Sequence, residues 1–345
     1  MAFPPLPPAG YHAASIFRGF VAGMQLERIR EPVVEDLRGI DRVIVARLAS
    51  DVALVNQVAQ YIIGAGGKRL RPLGVVLAAR ACGYEGDQHQ VAAAIIEFIH
   101  TATLLHDDVV DGSDLRRGRN TANHVFGNEA SVLVGDYLYS RAFQMMVDLG
   151  NLRIQEVMAN ATNTIAEGEV LQLMNAHDPD TTEERYLDVI YRKTAKLFEA
   201  GAQVAAIVAG ATPEVEAAMA DYGRHLGTAF QLVDDSLDYS ADQATLGKNV
   251  GDDLAEGKPT LPLIYAMAHS SLEDTARLRV AVENGGLEEL DTVTRAIESS
   301  GGLEYTARLA RREADLAIDA LGRLPESAYL GSLRALADFA VGRSY

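Results

Sequence analysis

"LLHDDVVDGSDLRRGR", residues 104–119, ends a long apolar run with three aspartates, Asp107, Asp108 and Asp111. Asp114 follows, then Arg116, Arg117 and Arg119. On a helix, positions four apart share a face and positions three apart lie beside it. Asp107 and Asp111 therefore project together, with Asp108 alongside. His100, two turns earlier, points roughly the same way. One acidic cluster on a helix is usually a solvated face.

The pattern recurs in "AFQLVDDSLDYS", residues 229–240, where Asp234, Asp235 and Asp238 repeat the spacing after apolar residues. Two such clusters, far apart in sequence and both on apolar helices, do not read as solvated faces. Packed opposite each other, they would place up to six carboxylates around one cavity. Their mutual repulsion would be costly unless divalent cations relieved it. Hard carboxylate oxygens suit Mg²⁺, which keeps several waters and takes one or two carboxylates together with substrate phosphates. The implied ligand is a phosphorylated substrate bridged by metal.

Basic residues stand where such a substrate needs them. "GAGGKRLRPLG", residues 64–74, lacks the spacing of a P-loop. Its glycine-rich turn can still offer backbone N–H groups to phosphate. Lys68 and Arg71 can add charge-assisted hydrogen bonds. "GKNVGDDLAEGKPTLP" sets Lys248 and Lys258 around Asp252 and Asp253, and "YRKTAKLF" carries Lys193 and Thr194. In a chain with a net charge of −17, these cations look placed.

The same charge speaks against nucleic acid as a partner, because phosphate backbones need a basic surface. The single cysteine, Cys82, permits no disulfide within the chain. That fits a reducing compartment and suggests a cytoplasmic protein. The most apolar runs, near 91–106 and 200–213, are too short for a membrane span or are broken by Glu97 and His100. With 345 residues, 48% of them hydrophobic, the chain can bury a large core. It has no tryptophan, so Ala, Leu, Val and Ile must fill that core, which suits packed helices.

Helix signals dominate. Thr212 and Pro213 open one helix. Ser271, with Asp274 three residues on, opens another that Gly285–Gly286 closes. Leu330, Leu333, Leu336 and Ala337 stripe a final helix. Alternating strand patterns are scarce, and no solenoid repeat is visible. The reading is a proline-rich flexible leader over 1–25 and one all-α domain over 26–345, with many helices.

The motifs "GGKRLRP", "HTATLLHDDVVD" with "LRRGR", "GEVLQ", "KTA", "FQLVDDSLD" and "GKNVGDDLAEGKPTLP" run from about residue 60 to 265. They stand in the order found in trans-isoprenyl diphosphate synthases, and the chain resembles that family. The wording that includes "ASVLVGDYLYSRAFQMM" is most similar to its octaprenyl branch, which makes quinone side chains. The resemblance implies a helical bundle around a deep central cavity, usually in a homodimer. It implies that Asp107, Asp111, Asp234 and Asp238 hold Mg²⁺, with Asp108 and Asp235 in support. Lys68, Arg71, His100 and Arg117 would bind isopentenyl diphosphate. Arg116, Lys193, Gln231, Lys248 and Lys258 would hold the allylic diphosphate, a farnesyl or geranylgeranyl starter. Thr194 and Gln172 would lie in the pocket.

The implied chemistry is ionisation of an allylic C–O bond, alkylation of isopentenyl diphosphate and loss of a proton. In this family, the positions four and five before the first aspartate motif can act as a floor to the growing chain. Here they are Thr103 and Ala102, both small, which argues for a long product. Met145 and Met146 could lie deeper, although a core role suits them better.

Two other readings compete. A helical metal phosphohydrolase would use His100, His106 and Asp107 as ligands, but would leave the second aspartate cluster and the basic motifs without a purpose. A non-catalytic regulatory subunit of a prenyl synthase should have lost ligands or cations, yet every motif position is filled. Terpene cyclisation would call for more aromatics to cradle cyclic cations. His106, His124 and His225 receive structural roles.

Overall fold

The computed structural model describes residues 23–64, 66–240 and 251–342. Most of the expected leader lies outside the described residues. Its last three positions belong to a helix over 23–30. A 3₁₀ turn, Glu31–Val33, leads into α1 (Val34–Leu48). There follow α2 (Ala53–Gly64), α3 (Leu70–Ala81) and the long α4 (Gln88–Val110). A small hairpin pairs β1 (Leu115–Arg116) with β2 (Arg119–Asn120). Then come α5 (Ala122–Phe126), α6 (Asn128–Asp148), α7 (Leu152–Asn175) and α8 (Glu183–Ile190). A π-helical turn, Tyr191–Ala195, joins α8 to α9 (Lys196–Val208). The remainder is α10 (Pro213–Ser240), α11 (Asp252–Ala255), α12 (Leu261–His269), α13 (Leu272–Asn284), α14 (Leu290–Ser300), α15 (Gly302–Ala320) and α16 (Ala328–Val341). The chain is all-α apart from that hairpin among the described residues.

Local chemistry explains several boundaries. α10 starts at Pro213, where a missing N–H costs nothing. The Ser271 side chain accepts from the Asp274 N–H, and Gly285 ends α13 in the left-handed region. The hairpin turns on Arg117 (φ 54°) and Gly118 (φ 72°), two positive φ values, as tight two-residue hairpins require.

α10 is the central element, packed along α9 and α15, while α4 packs along α6. The apolar core is built largely from Ala, Leu, Val and Ile. The final-helix stripe, Leu330, Leu333, Leu336 and Ala337, is buried within it. A second apolar cluster joins α12, α13 and α14, and a third joins α8, α10 and α12. None of the described helices is long and apolar enough to cross a membrane.

Two close approaches set the centre of the bundle. A side chain at Gly227 of α10 would put its Cβ 2.5 Å from the Ala195 Cα, and one at Gly168 of α7 would meet the Lys193 backbone nitrogen at 2.8 Å. Glycine at both positions lets α7 and α10 close on the π turn from two sides.

Candidate active site

The C-terminal ends of α4 and α10 meet at one cavity of about 890 Å³. Asp107 on α4 and Asp111, the residue that caps it, line it together with Asp234 and Asp235 of α10. Glu169 (α7), Asp252 and Asp253 (α11) and Glu256 add carboxylates. The expected ring of six motif aspartates is thus four, joined by acids from elsewhere. Asp108, one residue past Asp107, is turned about a quarter of the way round the helix. It is fully buried, and its Oδ1 accepts from Arg116 Nε and Nη2, both at 2.6 Å. Burial holds Asp108 above the ordinary carboxylate range, against the pull of Arg116. Asp238 is also fully buried and does not line the cavity. Lying in the last turn of α10, it accepts from the backbone N–H of Asp253 at 3.1 Å, and its carbonyl accepts from Gly251 N–H. It anchors the segment that carries Asp252 and Asp253.

Lysines bridge the acids. Lys193, carried on the π turn, reaches Glu169 and the Gln172 Oε1 at 2.6 Å each, and Asp107 at 3.7 Å. Lys258 lies 3.1 Å from Asp111 and pairs with Glu256. Burial works against its charge, but Glu256, Asp111 and Asp253 outweigh that and hold its ammonium above the ordinary lysine range. Burial, with crowding by Asp107 and Asp111, pushes Glu169 up to about 7, even with Lys193 beside it. Asp235 is pushed up to about 8, first by burial and then by Asp253. Tyr186 donates to its Oδ2 at 2.5 Å and Gln231 to its Oδ1 at 2.6 Å. Thr194 in turn donates to the Gln231 Oε1 at 2.9 Å. α8, α10 and the π turn are tied together by this relay.

The same cavity also carries cations. Lys68, Arg69, Arg71 and Arg117 line it with His100. Arg71 donates to His100 Nε2 at 3.1 Å, which leaves the imidazole neutral with its proton on Nδ1. Burial, then Arg71, Arg117 and Arg116, hold His100 well below the ordinary histidine range. Burial also lowers Arg71 to about 10, against Glu97 and Asp234. The Arg71 guanidinium stacks 4.6 Å from the Phe198 ring. Arg117 donates to the Gly66 carbonyl.

The donor set fits a hard divalent cation. Among the described residues, no three histidine, cysteine or acidic side chains converge closely enough to hold an ion alone. Carboxylates nevertheless crowd the cavity enough to raise Glu169 and Glu256 by burial and mutual repulsion. That is a site for an ion which takes few protein ligands and completes its shell with water and phosphate.

The other expected residues fall as follows. Arg116 lines the cavity as well as holding Asp108. Thr194, Gln172 and Gln231 line it, and Lys248 lies outside the described residues. Thr103 faces the cavity, whereas Ala102 is fully buried in the core and does not. Met145 and Met146 are core residues. His106 turns away to α6, 3.1 Å from the Val132 carbonyl and 3.3 Å from Asp136. With His100 engaged by Arg71, the phosphohydrolase ligand set is not assembled. Sequence reasoning passed over Glu169, Tyr186, Glu256 and Glu97. Glu169 stood in "GEVLQ" beside the glycine that admits the π turn, Glu256 stood in "GKNVGDDLAEGKPTLP", and Glu97 interrupted an apolar run, whereas Tyr186 carried no signal.

Comparison with known proteins agrees with this geometry. Residues 52–299 match the family model for polyprenyl synthetase. The octaprenyl diphosphate synthase of Escherichia coli K12 is 59% identical over 321 residues, covering 93% of this chain and 99% of that protein. An all-trans-nonaprenyl-diphosphate synthase of Rhodobacter capsulatus is 48% identical, covering 91% and 97%. The crystal structure of a polyprenyl synthase from Caulobacter crescentus CB15, complexed with calcium and isoprenyl diphosphate, superposes with a TM-score of 0.90 at 46% identity, covering 92% and 98%. With acidic and cationic side chains lining a single cavity, and with these likenesses over nearly its whole length, the chain belongs to the polyprenyl synthetase family.

Proposed function

We propose that this protein is a prenyltransferase that condenses isopentenyl diphosphate units onto an allylic diphosphate, making a long-chain all-trans polyprenyl diphosphate. Likeness to the E. coli enzyme favours an octaprenyl product, with nonaprenyl and decaprenyl next, for use as a quinone side chain. One observation carries the reading: two aspartate-bearing helix ends face one cavity that is also lined by Lys68, Arg71 and Arg117.

Asp107, Asp111 and Asp234 would hold Mg²⁺, with Asp108, Asp235 and Asp238 supporting them through Arg116, Tyr186 and the Asp253 backbone. The bound metal would neutralise the allylic diphosphate and stabilise it as a leaving group. Lys193, Lys258 and Arg116 line the same cavity and receive the remaining negative charge, with Lys248 expected beside them. Lys68, Arg71, His100 and Arg117 hold isopentenyl diphosphate. His100 is neutral there and donates from Nδ1 rather than adding charge. Leu104, Val189, Ile190, Phe230 and Leu237 form an apolar wall that keeps water from the allylic cation.

Val132, Leu133, Phe143 and Val147 expose apolar surface along α6, which supports a homodimer. A cytoplasmic enzyme working on water-soluble diphosphates is the setting this implies.

The test is incorporation of labelled isopentenyl diphosphate onto farnesyl diphosphate, with Mg²⁺ and after chelation. Incorporation that chelation abolishes and Mg²⁺ restores is the expected result. Incorporation indifferent to chelation would remove the metal from the scheme.

A further inference from the structure

Glu97 stands among the cations that face isopentenyl diphosphate in the proposed reaction, and that reaction assigns it nothing. It lies on α4, one turn before His100, and lines the cavity. Lys68, Arg69 and Arg71 before and at the start of α3 and Arg117 on the hairpin turn line the same cavity, and the field at its carboxyl comes chiefly from the three arginines and from Asp41 on α1. His100, on its own helix, is neutral. Among the described residues, no hydrogen bond or ion pair within 4 Å joins Glu97 to any of the three arginines. Arg69 is paired with Asp41, Arg71 is turned to His100, and Arg117 to the Gly66 carbonyl. An acid with three guanidiniums in its field but none in its grip is a counter-charge rather than an ion-pair partner.

That arrangement suits an empty site and conflicts with a full one. Without substrate, Glu97 offsets repulsion among the arginines and supports the charge of Arg71 and Arg117. A diphosphate placed among the same arginines brings several negative charges against a half-buried carboxylate, which disfavours its ionised form. We propose that Glu97 takes up a proton from solvent as isopentenyl diphosphate binds, changing from counter-charge of the arginines to a neutral hydrogen-bond donor towards the diphosphate. Burial already holds its carboxyl above the ordinary range, against the pull of the three arginines. Glu97 is thus a substrate-positioning residue, and it makes isopentenyl diphosphate affinity depend on pH. Since binding takes up a proton, affinity falls as pH rises, by up to about tenfold per pH unit for one linked proton.

The proposal rests on reading these basic residues as the isopentenyl diphosphate site, and one experiment separates the two. Isopentenyl diphosphate is titrated calorimetrically into the full chain at constant pH, with a chelator present, in two buffers of different ionisation enthalpy. The native protein is expected to take up about one more proton per ligand than E97Q. E97D, which keeps an acid, is expected to behave like the native protein. Equal proton counts in native and E97Q overturn the Glu97 proposal and leave the site reading standing. No binding by the native chain overturns the site reading itself, and the proposal with it. Infrared difference spectra of the native chain serve if E97Q does not fold. A protonated carboxyl band appearing on binding, and shifted in E97D, is expected. Its absence overturns the proposal.

Discussion

Asp108 shows why a motif residue need not touch a ligand. It is wholly buried and is ion-paired with Arg116. Removing one partner of a buried pair leaves an uncompensated charge, which costs about 3–5 kcal/mol. R116A should therefore lower both stability and activity, and R116K should recover less than a full rescue, because one ammonium cannot copy two guanidinium contacts. Thermal unfolding of the two variants checks this, and an unchanged melting temperature in R116A would remove Arg116 from that role. Asp107 faces the cavity instead, so D107N should unfold like the native protein yet lose about 10²–10³ in kcat. The distinction between these aspartates was only half legible in the sequence. Spacing placed Asp107 and Asp111 on one face. It could not say that Asp238, which shares a face with Asp234, would meet the returning backbone at Asp253.

At the level of elements, helix identity and several termini were readable because they rest on local chemistry: Pro213, the Ser271 cap, Gly285. The π turn was not readable, because its cause is tertiary. Gly168 and Gly227 admit α7 and α10, and "YRKTA" gives no local sign of an added residue per turn. Alanine is the better helix former by about 1 kcal/mol. At Gly227 the clash with the Ala195 backbone should outweigh that, so G227A is expected to destabilise by about 1–3 kcal/mol. A stabilised G227A in denaturant unfolding would contradict the packing account. A second tie joins α1, α3 and α4, where Asp36 meets Arg80 at 2.6 Å and His89 at 2.8 Å. His89 is held below its ordinary value, chiefly by burial. Burial would raise Asp36, but Arg80 and Gln90 outweigh it and hold Asp36 low. Both groups therefore bind fewer protons folded than unfolded. Their contribution is present above the ordinary histidine value of 6.5 and is lost as pH falls through it, with the aspartate part following below 3.8. Their contribution to the melting temperature should fall between pH 7 and 5, so the melting temperature of the native chain relative to that of H89Q should decline over that window. An equal slope in H89Q would place the acid sensitivity elsewhere.

Over the whole molecule, function is a matter of which small residues face the cavity. The sequence pointed to Ala102 and Thr103 together, because both precede the first aspartate motif at the right distance. Only Thr103 lines the cavity, since consecutive helical positions lie about 100° apart. T103F should shorten the product, and A102F should cost about 1–3 kcal/mol of stability by overpacking the core. The central claim is that the two aspartate-bearing helix ends and the facing cations elongate an allylic chain. Its most direct measurement is product sizing. Purified protein is incubated with Mg²⁺, farnesyl diphosphate and labelled isopentenyl diphosphate, and the dephosphorylated products are separated by reversed-phase chromatography. A single all-trans product in the octaprenyl to decaprenyl range is the predicted result. No incorporation by folded protein in the presence of Mg²⁺ would contradict it.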